Sequence, residues 1–171
     1  AGVLVGKSAR KTKVNRREFL RKSTSTGTLT GLSAVPLLAK IAANDRIGVG
    51  LIGSGGMGRL NLTDFLKQPE VQAVAVCDVY QPNMDKALAL TEGRAKTYKD
   101  YRKLLENKDV DVVIIATPDH WHALTCIDAC HAGKDVYVEK PISNCIREGR
   151  LMVEAARKTN RVVQVGLQQR S

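Results

Sequence analysis

Three glycines at a fixed spacing constrain the fold more than any other feature of this 171-residue sequence. An apolar run, Ile47–Ile52, leads straight into Gly53, Gly55 and Gly58, which have the spacing G-x-G-x-x-G. A helical pattern follows at once, with Gly58 on its apolar face, where a side chain would push the helix off the strand. This order is typical of a strand that feeds a phosphate-binding loop, although glycines alone are a weak signal.

Short apolar runs alternate with amphipathic stretches from Asp45 onward, which predicts an α/β fold with a parallel sheet. The runs are nearly continuous, as expected for strands covered on both faces. The predicted strands are residues 47–52, 71–77, 96–98, 112–115, 135–138 and 162–165. The predicted helices cover about residues 58–68, 82–92, 101–107, 121–132 and 143–158, with Asp100 as the cap of the third.

An acidic residue, Asp78, directly follows the second predicted strand, twenty positions after Gly58. In a dinucleotide-binding fold an acid at this position accepts hydrogen bonds from the adenosine ribose and repels a 2′-phosphate. The sequence therefore predicts a Rossmann-type doubly wound sheet that binds NAD, with NADP as the alternative because of the nearby Arg59. Besides Asp78, the predicted cofactor-binding residues of the loop are Gly53, Ser54, Gly55, Gly56, Met57 and Gly58.

Four cysteines fall on predicted apolar stripes, which favours free, buried thiols over disulfides. They are Cys77, Cys126, Cys130 and Cys145. The predicted inward face of the last helix consists of Ile142, Cys145, Ile146, Gly149, Met152, Val153 and Ala156. His122, Cys126 and Cys130 have the spacing i, i+4, i+8, but we predict no metal site because the cysteines belong to the apolar stripe and a fourth ligand is absent from the pattern.

The formal net charge of +10 is concentrated at the N-terminus. Residues 1–43 contain nine basic residues and one acidic residue, whereas the remainder has 18 basic and 16 acidic residues. A nucleic-acid-binding surface is expected on the folded domain, so this distribution argues against a nucleic-acid partner.

The N-terminal segment has a pattern of its own. Two arginines, Arg16 and Arg17, are followed by Phe19-Leu20 and further basic residues, then by the uncharged residues 23–39. This resembles a twin-arginine export signal, with cleavage after Ala39 or Ala43. The uncharged stretch is too short and too polar to predict a stable membrane span. We therefore predict a signal region over residues 1–43, the twin-arginine export machinery as a partner and a periplasmic location; a disordered basic tail is the alternative.

Four motifs follow the fourth predicted strand and carry a family resemblance. They are Ala116-Thr117-Pro118-Asp119-His120-Trp121-His122, Gly133-Lys134, Val138-Glu139-Lys140-Pro141 and Val165-Gly166-Leu167-Gln168-Gln169-Arg170. With these motifs in order, the chain resembles the Gfo/Idh/MocA oxidoreductase family over about residues 46–171.

The resemblance implies roles for residues that follow the fourth and fifth strands, where ligands of open α/β sheets bind. Lys140 is implied to lie beside the nicotinamide and the reacting carbon, where a partly desolvated lysine suits proton transfer. His122 is implied near the nicotinamide end. Thr117, Pro118 and Glu139 complete the predicted cofactor-binding set, and the predicted catalytic residues are Lys140 and His122.

The family implies hydride transfer between nicotinamide and a hydroxyl-bearing carbon of a sugar or cyclitol. It also implies a second domain with an open antiparallel sheet, through which members associate as oligomers. Because this chain stops at Ser171, we expect that domain to be missing and the fragment to bind cofactor without turnover. Two alternatives remain: an NAD-dependent glycosidase that uses transient oxidation and elimination, and a non-enzymatic cofactor-binding module.

Overall fold

The computed structural model describes residues 46–167. The predicted signal region, residues 1–43, and Gln168-Gln169-Arg170 of the last motif lie outside the described residues. The strands are β1 (Ile47–Ile52), β2 (Val71–Cys77), β3 (Lys96–Tyr98), β4 (Val112–Ile115), β5 (Asp135–Glu139) and β6 (Val163–Gly166). The helices are α1 (Gly56–Phe65), α2 (Gln81–Leu90), α3 (Tyr101–Leu105), α4 (His122–His131) and α5 (Ile146–Thr159), and a single 3₁₀ turn, Asp119–Trp121, precedes α4.

The described strands form one parallel sheet in the order β3-β2-β1-β4-β5-β6, which confirms the predicted Rossmann-type doubly wound fold. β1 to β4 have the predicted bounds. β1, β2 and β4 are mainly apolar runs between turn-forming or polar residues, whereas β3, Lys96–Tyr98, is a short and largely exposed strand. The chain builds outward from β1 to β3 and then returns to place β4 on the other side of β1. This reversal opens a crevice at the carboxyl ends of β1 and β4.

Helices cover both faces of the sheet. Leu51, Leu62 and Ile114 belong to the apolar cluster on the face covered by α1 and α2. Ile115, Cys126 and Met152 belong to the cluster on the opposite face, together with residues of α3, α4 and α5. Successive residues of β4 thus enter different clusters, as the alternation of side chains along a strand requires.

The pairing of β1 with β2 contains one irregularity. Val49 pairs with Ala73, but the next residue, Gly50, pairs with Ala75. Val74 is therefore an extra residue in β2. Beyond it the pairing is regular again and ends with Ile52 opposite Cys77.

The prediction for the last helix is wrong in part. Cys145 is exposed and precedes α5 as its N-terminal cap residue, in an extended conformation. Ile146 and Val153 are 84% and 46% exposed. The helix begins at Ile146 and not at Ser143, and its buried residues are Met152 and Ala155, so the predicted apolar stripe is displaced around the helix.

The other three thiols are buried as predicted. Cys77, Cys126 and Cys130 all lie in the core. All four cysteines fall within the described residues, and each is free.

Candidate cofactor-binding site

Gly53 makes the turn that ends β1. Its φ is 88°, a left-handed value that favours glycine, and its N–H donates to the carbonyl oxygen of Cys77 at 2.9 Å. A Cβ at this position would lie 2.6 Å from the carbonyl carbon and oxygen of Ala116, which follows β4. The first glycine therefore allows the loops after β1 and β4 to approach each other closely.

Gly58 allows α1 to pack on the loop that precedes it. A Cβ there would collide with the carbonyl oxygen of Gly53 and would lie 3.3 Å from the Cβ of Ala116. Gly58 is buried, so the predicted packing role of the third glycine is confirmed.

Gly55 and Gly56 have the opposite surroundings. A Cβ at either position would meet nothing within 4 Å. Gly55 is the N-terminal cap of α1, no side chain caps the helix, and no acidic residue lies in its first turn. No side chain therefore covers or caps the first turn of α1, whose N–H groups carry partial positive charge, and this fits the pyrophosphate of a dinucleotide.

Asp78 is fixed at both carboxylate oxygens. Oδ2 accepts the N–H of Ser54 at 2.7 Å, and Oδ1 accepts the N–H of Tyr80 at 2.9 Å. Ser54 is fully buried, and its hydroxyl lies 3.3 Å from the carbonyl oxygen of Cys77. Asp78 therefore ties the end of β2 to the glycine loop while its carboxylate stays half-buried.

Arg59 is directed toward the same loop. Its Nη1 donates to the carbonyl oxygen of Ser54 at 2.7 Å. Met57, also predicted to bind cofactor, is exposed at the first turn of α1.

A cleft of about 620 Å³ opens beside the glycine loop. Its walls include Gly53 and Gly55 on one side, Asp78 at the end of β2, and Thr117 and Pro118 after β4. The structure thus brings the predicted residues from β1, β2 and β4 together at the reversal point of the sheet.

The interior of this cleft suits a nucleoside. Tyr101 and Trp121 line it and meet edge to face, with their ring centroids 6.3 Å apart. The hydroxyls of Thr117 and Thr125, which also line it, are buried without a hydrogen-bond partner among the described residues. The aromatic surface suits a base, whereas the two hydroxyl oxygens lie beneath the cleft surface.

Two ionisable side chains of the wall are neutral at ordinary pH. Burial, reinforced by the charge of Asp78, raises the pKa of the Cys77 thiol to about 12. Burial also raises the pKa of Tyr101 to about 12, aided by the hydrogen bond that its hydroxyl donates to Asp128 Oδ2 at 2.7 Å. Cys77 is therefore a poor nucleophile. The charges of the cleft wall come instead from Asp78, Lys99, Asp100 and Arg102.

His122 lies between the loops that follow β4 and β5. The ring is 1% exposed, with Nδ1 2.7 Å from the carbonyl oxygen of Pro141 and Nε2 2.9 Å from that of Thr117. Neither nitrogen is directed at Cys126 or Cys130, and no cluster of metal-ligating side chains occurs within residues 46–167. The histidine that the motif places near nicotinamide thus connects two backbone segments.

Glu139 and Lys140 follow one another at the end of β5 but have different surroundings. Glu139 is 4% exposed; its Oε1 accepts from Asn61 Nδ2 at 2.8 Å, and its Oε2 accepts the N–H of Lys140 at 3.2 Å. The Lys140 side chain is exposed, whereas the sequence prediction was a partly desolvated amine. The Lys140–Pro141 peptide is cis.

One motif residue lies far from the cleft. Lys134, before β5, donates to the carbonyl oxygens of Asn107 at 2.9 Å and Val110 at 2.7 Å, at the amino ends of the strands. Burial lowers its pKa. The Gly133-Lys134 motif therefore stabilises the fold at the edge of the sheet opposite the site.

Sequence reasoning missed Asn61 and Thr125. Asparagine is unfavourable inside a helix unless its side chain has a hydrogen-bond partner, and its place within the first predicted helix was the one indication that the sequence contained. In the structure Asn61 is buried. Thr125 lies within the predicted fourth helix but not on its predicted apolar stripe, and nothing in the sequence distinguishes its hydroxyl.

The comparisons with known proteins agree with this geometry. The Gfo/Idh/MocA model, described as an oxidoreductase family with an NAD-binding Rossmann fold, matches residues 47–167. Glycosyl hydrolase family 109 protein 1 of Shewanella sp. (strain MR-4) is 34% identical over 139 residues, 77% of this chain and 30% of that protein. Inositol 2-dehydrogenase of Salmonella typhimurium is 37% identical over 125 residues, 72% of this chain and 36% of that enzyme.

A solved structure gives the same picture. The WlbA dehydrogenase from Chromobacterium violaceum, in complex with NADH and UDP-GlcNAcA, superposes with a TM-score of 0.68 at 26% identity, over 78% of this chain and 39% of that one. This chain thus spans about a third of the length of the relatives it matches. It belongs to the Gfo/Idh/MocA oxidoreductase family, and its described part is that family's NAD-binding Rossmann domain.

Proposed function

We propose that the chain is the cofactor-binding part of an enzyme that transfers hydride between NAD and a hydroxyl-bearing carbon of a sugar or cyclitol. One observation carries the proposal. The strands β1, β4 and β5 are parallel, so the uncapped N-terminus of α1, which follows β1, and Lys140, which follows β5, lie on the same side of the sheet, at the carboxyl ends of its strands. The similarity to inositol 2-dehydrogenase supports a polyol substrate.

Each residue has a defined part in this proposal. NAD, when bound, supplies the hydride acceptor. The first N–H groups of α1 hold the pyrophosphate, and Asp78 accepts a hydrogen bond from the adenosine ribose. The amino group of Lys140 orients the substrate hydroxyl and exchanges its proton. His122 fixes the backbone of Thr117 and Pro141 on either side of the reacting groups.

A preference for NAD over NADP follows from the fixed position of Asp78. Two backbone N–H groups hold its carboxylate in place, so a 2′-phosphate would meet a negative charge that cannot turn away. Arg59, the residue that favoured NADP, donates to the Ser54 carbonyl oxygen. Fluorescence titration should show NAD binding about tenfold or more tightly than NADP, and Asp78→Asn should narrow that ratio. Tighter binding of NADP by the wild type would contradict the preference.

Activity is tested on the full-length protein with a panel of cyclitols and sugars, by following the formation of NADH. Lys140→Ala should lower kcat by roughly 10²-fold or more, the usual contribution of a proton-transferring side chain. Lys103→Ala is the matched control, because Lys103 lies on α3 and its side chain forms an exposed ion pair with Glu106. Turnover by Lys140→Ala within a few-fold of wild type would show that Lys140 does not have this role.

A glycosidase is the second candidate, favoured by the similarity to glycosyl hydrolase family 109 protein 1. Such an enzyme would use the same residues for transient oxidation, elimination and return of the hydride. Hydrolysis of an aryl glycoside without net NADH formation would favour it over a dehydrogenase. NAD binding without either activity would indicate a non-enzymatic cofactor-binding module.

We also propose export by the twin-arginine pathway, on the basis of Arg16, Arg17 and the uncharged residues 23–39. A fusion of residues 1–45 to a reporter should reach the periplasm, and Arg16→Lys with Arg17→Lys should retain it in the cytoplasm. A wild-type fusion that stays in the cytoplasm would contradict the proposal. No helix within residues 46–167 has the length and apolar character needed to cross a membrane.

A further inference from the structure

Asn61 occupies an unusual position for its residue type. It lies in the middle of α1, between Gly58 and Leu62, which are also buried, and it is 5% exposed. Asparagine is a poor helix former, and a buried amide destabilises the fold unless it is hydrogen-bonded. Its side chain therefore requires a partner of matching chemistry.

That partner is the carboxylate of Glu139, 78 residues further along the chain. Asn61 Nδ2 donates to Glu139 Oε1 at 2.8 Å, inside the protein. Glu139 Oε2 accepts the backbone N–H of Lys140 at 3.2 Å. The carboxylate thus lies between the helix of the glycine loop and the backbone of Lys140.

A third segment leaves room for this arrangement. Gly166, in β6, pairs with Glu139, and a Cβ on Gly166 would lie 3.1 Å from Glu139 Oε1. A charge-assisted hydrogen bond in a buried setting is strong and geometrically defined. The distance between α1 and Lys140 is therefore set by side-chain chemistry as well as by apolar packing.

We propose that Asn61 is a positioning residue, which through Glu139 fixes the backbone of Lys140 relative to the phosphate-binding N-terminus of α1. This inference rests on the proposed function, because the reaction requires Lys140 at a defined distance from the bound nicotinamide. Asn61 touches neither the cofactor nor the substrate in this role.

The test compares Asn61→Leu with Phe65→Leu. Asn61→Leu keeps the number and branching of the side-chain heavy atoms, with a larger volume, and removes the donor to Glu139. Phe65 is on the same helix and packs on β5 through Tyr137, with ring centroids 5.4 Å apart, so Phe65→Leu weakens the packing of α1 while both partners of the hydrogen bond, Asn61 and Glu139, are kept. The double variant Asn61→Asp with Glu139→Gln exchanges donor and acceptor and should restore the bond.

In the full-length protein, Asn61→Leu should lower kcat by about 10 to 100-fold, since a displacement of about 1 Å costs on the order of 10²-fold. The KM for NAD should change by less than about threefold, because the first turn of α1 is intact. Phe65→Leu should leave kcat near the wild-type value, and the double variant should recover much of it. A kcat of Asn61→Leu equal to that of wild type, or an equal loss in Phe65→Leu, would overturn the proposal.

A second measurement does not depend on turnover. In ¹⁵N-labelled protein the Lys140 amide should exchange its hydrogen about tenfold faster in Asn61→Leu than in wild type, because its acceptor is no longer held. Phe65→Leu should leave that rate unchanged. Unchanged exchange in Asn61→Leu would show that Asn61 does not control Lys140. A wild type that oxidises no polyol would instead count against the proposed function alone.

Discussion

The two sides of the cofactor crevice are built on different principles. On the β1 side the site is formed by backbone without side chains. Gly53 and Gly58 allow the loops after β1 and β4 and the helix α1 to approach one another closely, and Gly55 and Gly56 leave the N-terminus of α1 uncovered. On the β4 and β5 side, buried polar side chains make the connections: His122 lies between the loops after β4 and β5, and Glu139 joins α1 to the backbone of Lys140.

The difference shows how each side should respond to mutation. At Gly53 and Gly58 an added Cβ would collide with backbone, which cannot move aside as a flexible side chain can. Where a side chain connects two loops, its loss leaves the elements in place but frees the loops. The first side should fail by misfolding and the second by loss of precision.

The largest effect is expected for Gly58→Ala. The added Cβ would collide with the Gly53 carbonyl oxygen, and we expect a loss of about 3 kcal/mol or more in the free energy of unfolding. Gly56→Ala is the control, since a Cβ there meets nothing, and its stability should equal or exceed that of wild type. Denaturant unfolding measures the free energy of unfolding of both variants. Equal stability of Gly58→Ala and Gly56→Ala would contradict the packing role of Gly58.

A smaller effect is expected for His122→Phe. Phenylalanine fills the ring site but lacks the ring N–H, which donates to the carbonyl oxygen of Pro141 or of Thr117 depending on the tautomer; its loss should cost about 1 to 2 kcal/mol and also weaken NAD binding as the loops move. His120→Phe, at an exposed position, should change stability by about 0.5 kcal/mol at most. Calorimetric titration that found full NAD affinity in a destabilised His122→Phe would limit this residue to a structural role.

Lys134→Met tests whether NAD binding depends only on the carboxyl ends of the strands, where the cleft lies, or also on their amino ends. It removes two hydrogen bonds to backbone carbonyls at the opposite edge, so we expect a loss of about 1 to 2 kcal/mol with no change in the Kd for NAD. A parallel loss of NAD affinity would mean that the two edges are coupled.

The smallest effect concerns Tyr101 and alkaline pH. Its pKa is raised to about 12 in the folded protein from the ordinary 10, so the stability that its neutral form provides is complete below pH 10 and is lost as the pH rises toward 12. Tyr101→Phe lacks this titration. The stability difference between wild type and Tyr101→Phe should be constant up to about pH 9 and shift in favour of the variant above pH 10; a constant difference up to pH 11 would contradict the assignment.

The sequence was most informative where local pattern decides structure. The runs at Val71–Cys77 and Val112–Ile115 could be bounded because a buried parallel strand is apolar throughout and its ends are marked by polar or turn residues. The cap at Asp100 was also predictable, because an aspartate just before a helical stretch favours the N-cap position. Its side chain accepts a hydrogen bond from the N–H of Arg102 at 2.9 Å. The start of α5 was not predictable, because Ser143 and Asn144 are both residue types that favour an N-cap, whereas the helix is preceded by Cys145, which is not.

Contacts between distant residues were beyond reach. Asn61 and Glu139 are 78 positions apart in the sequence, and neither residue type indicates which distant residue will be its hydrogen-bond partner. His122 was identified through its motif, but a motif does not reveal that both ring nitrogens face backbone carbonyl oxygens. The exposure of Lys140 depends equally on how neighbouring loops fold.

The extra residue in β2 lies before the part of the strand that sets the register at the site. Beyond Val74, β2 pairs regularly with β1 and ends at Cys77, and the next residue meets the N–H of Ser54. A deletion of Val74 would make the pairing with β1 regular and keep Cys77 opposite Ile52, so Asp78 would stay beside Ser54. A deletion of Val76 with the irregularity retained would instead turn Cys77 to the opposite face and draw Asp78 back by about 3.3 Å. Length changes should therefore be tolerated in the outer loops of this domain and at Val74, and not between Val74 and Asp78, where the register aligns the carboxylate with the glycine loop.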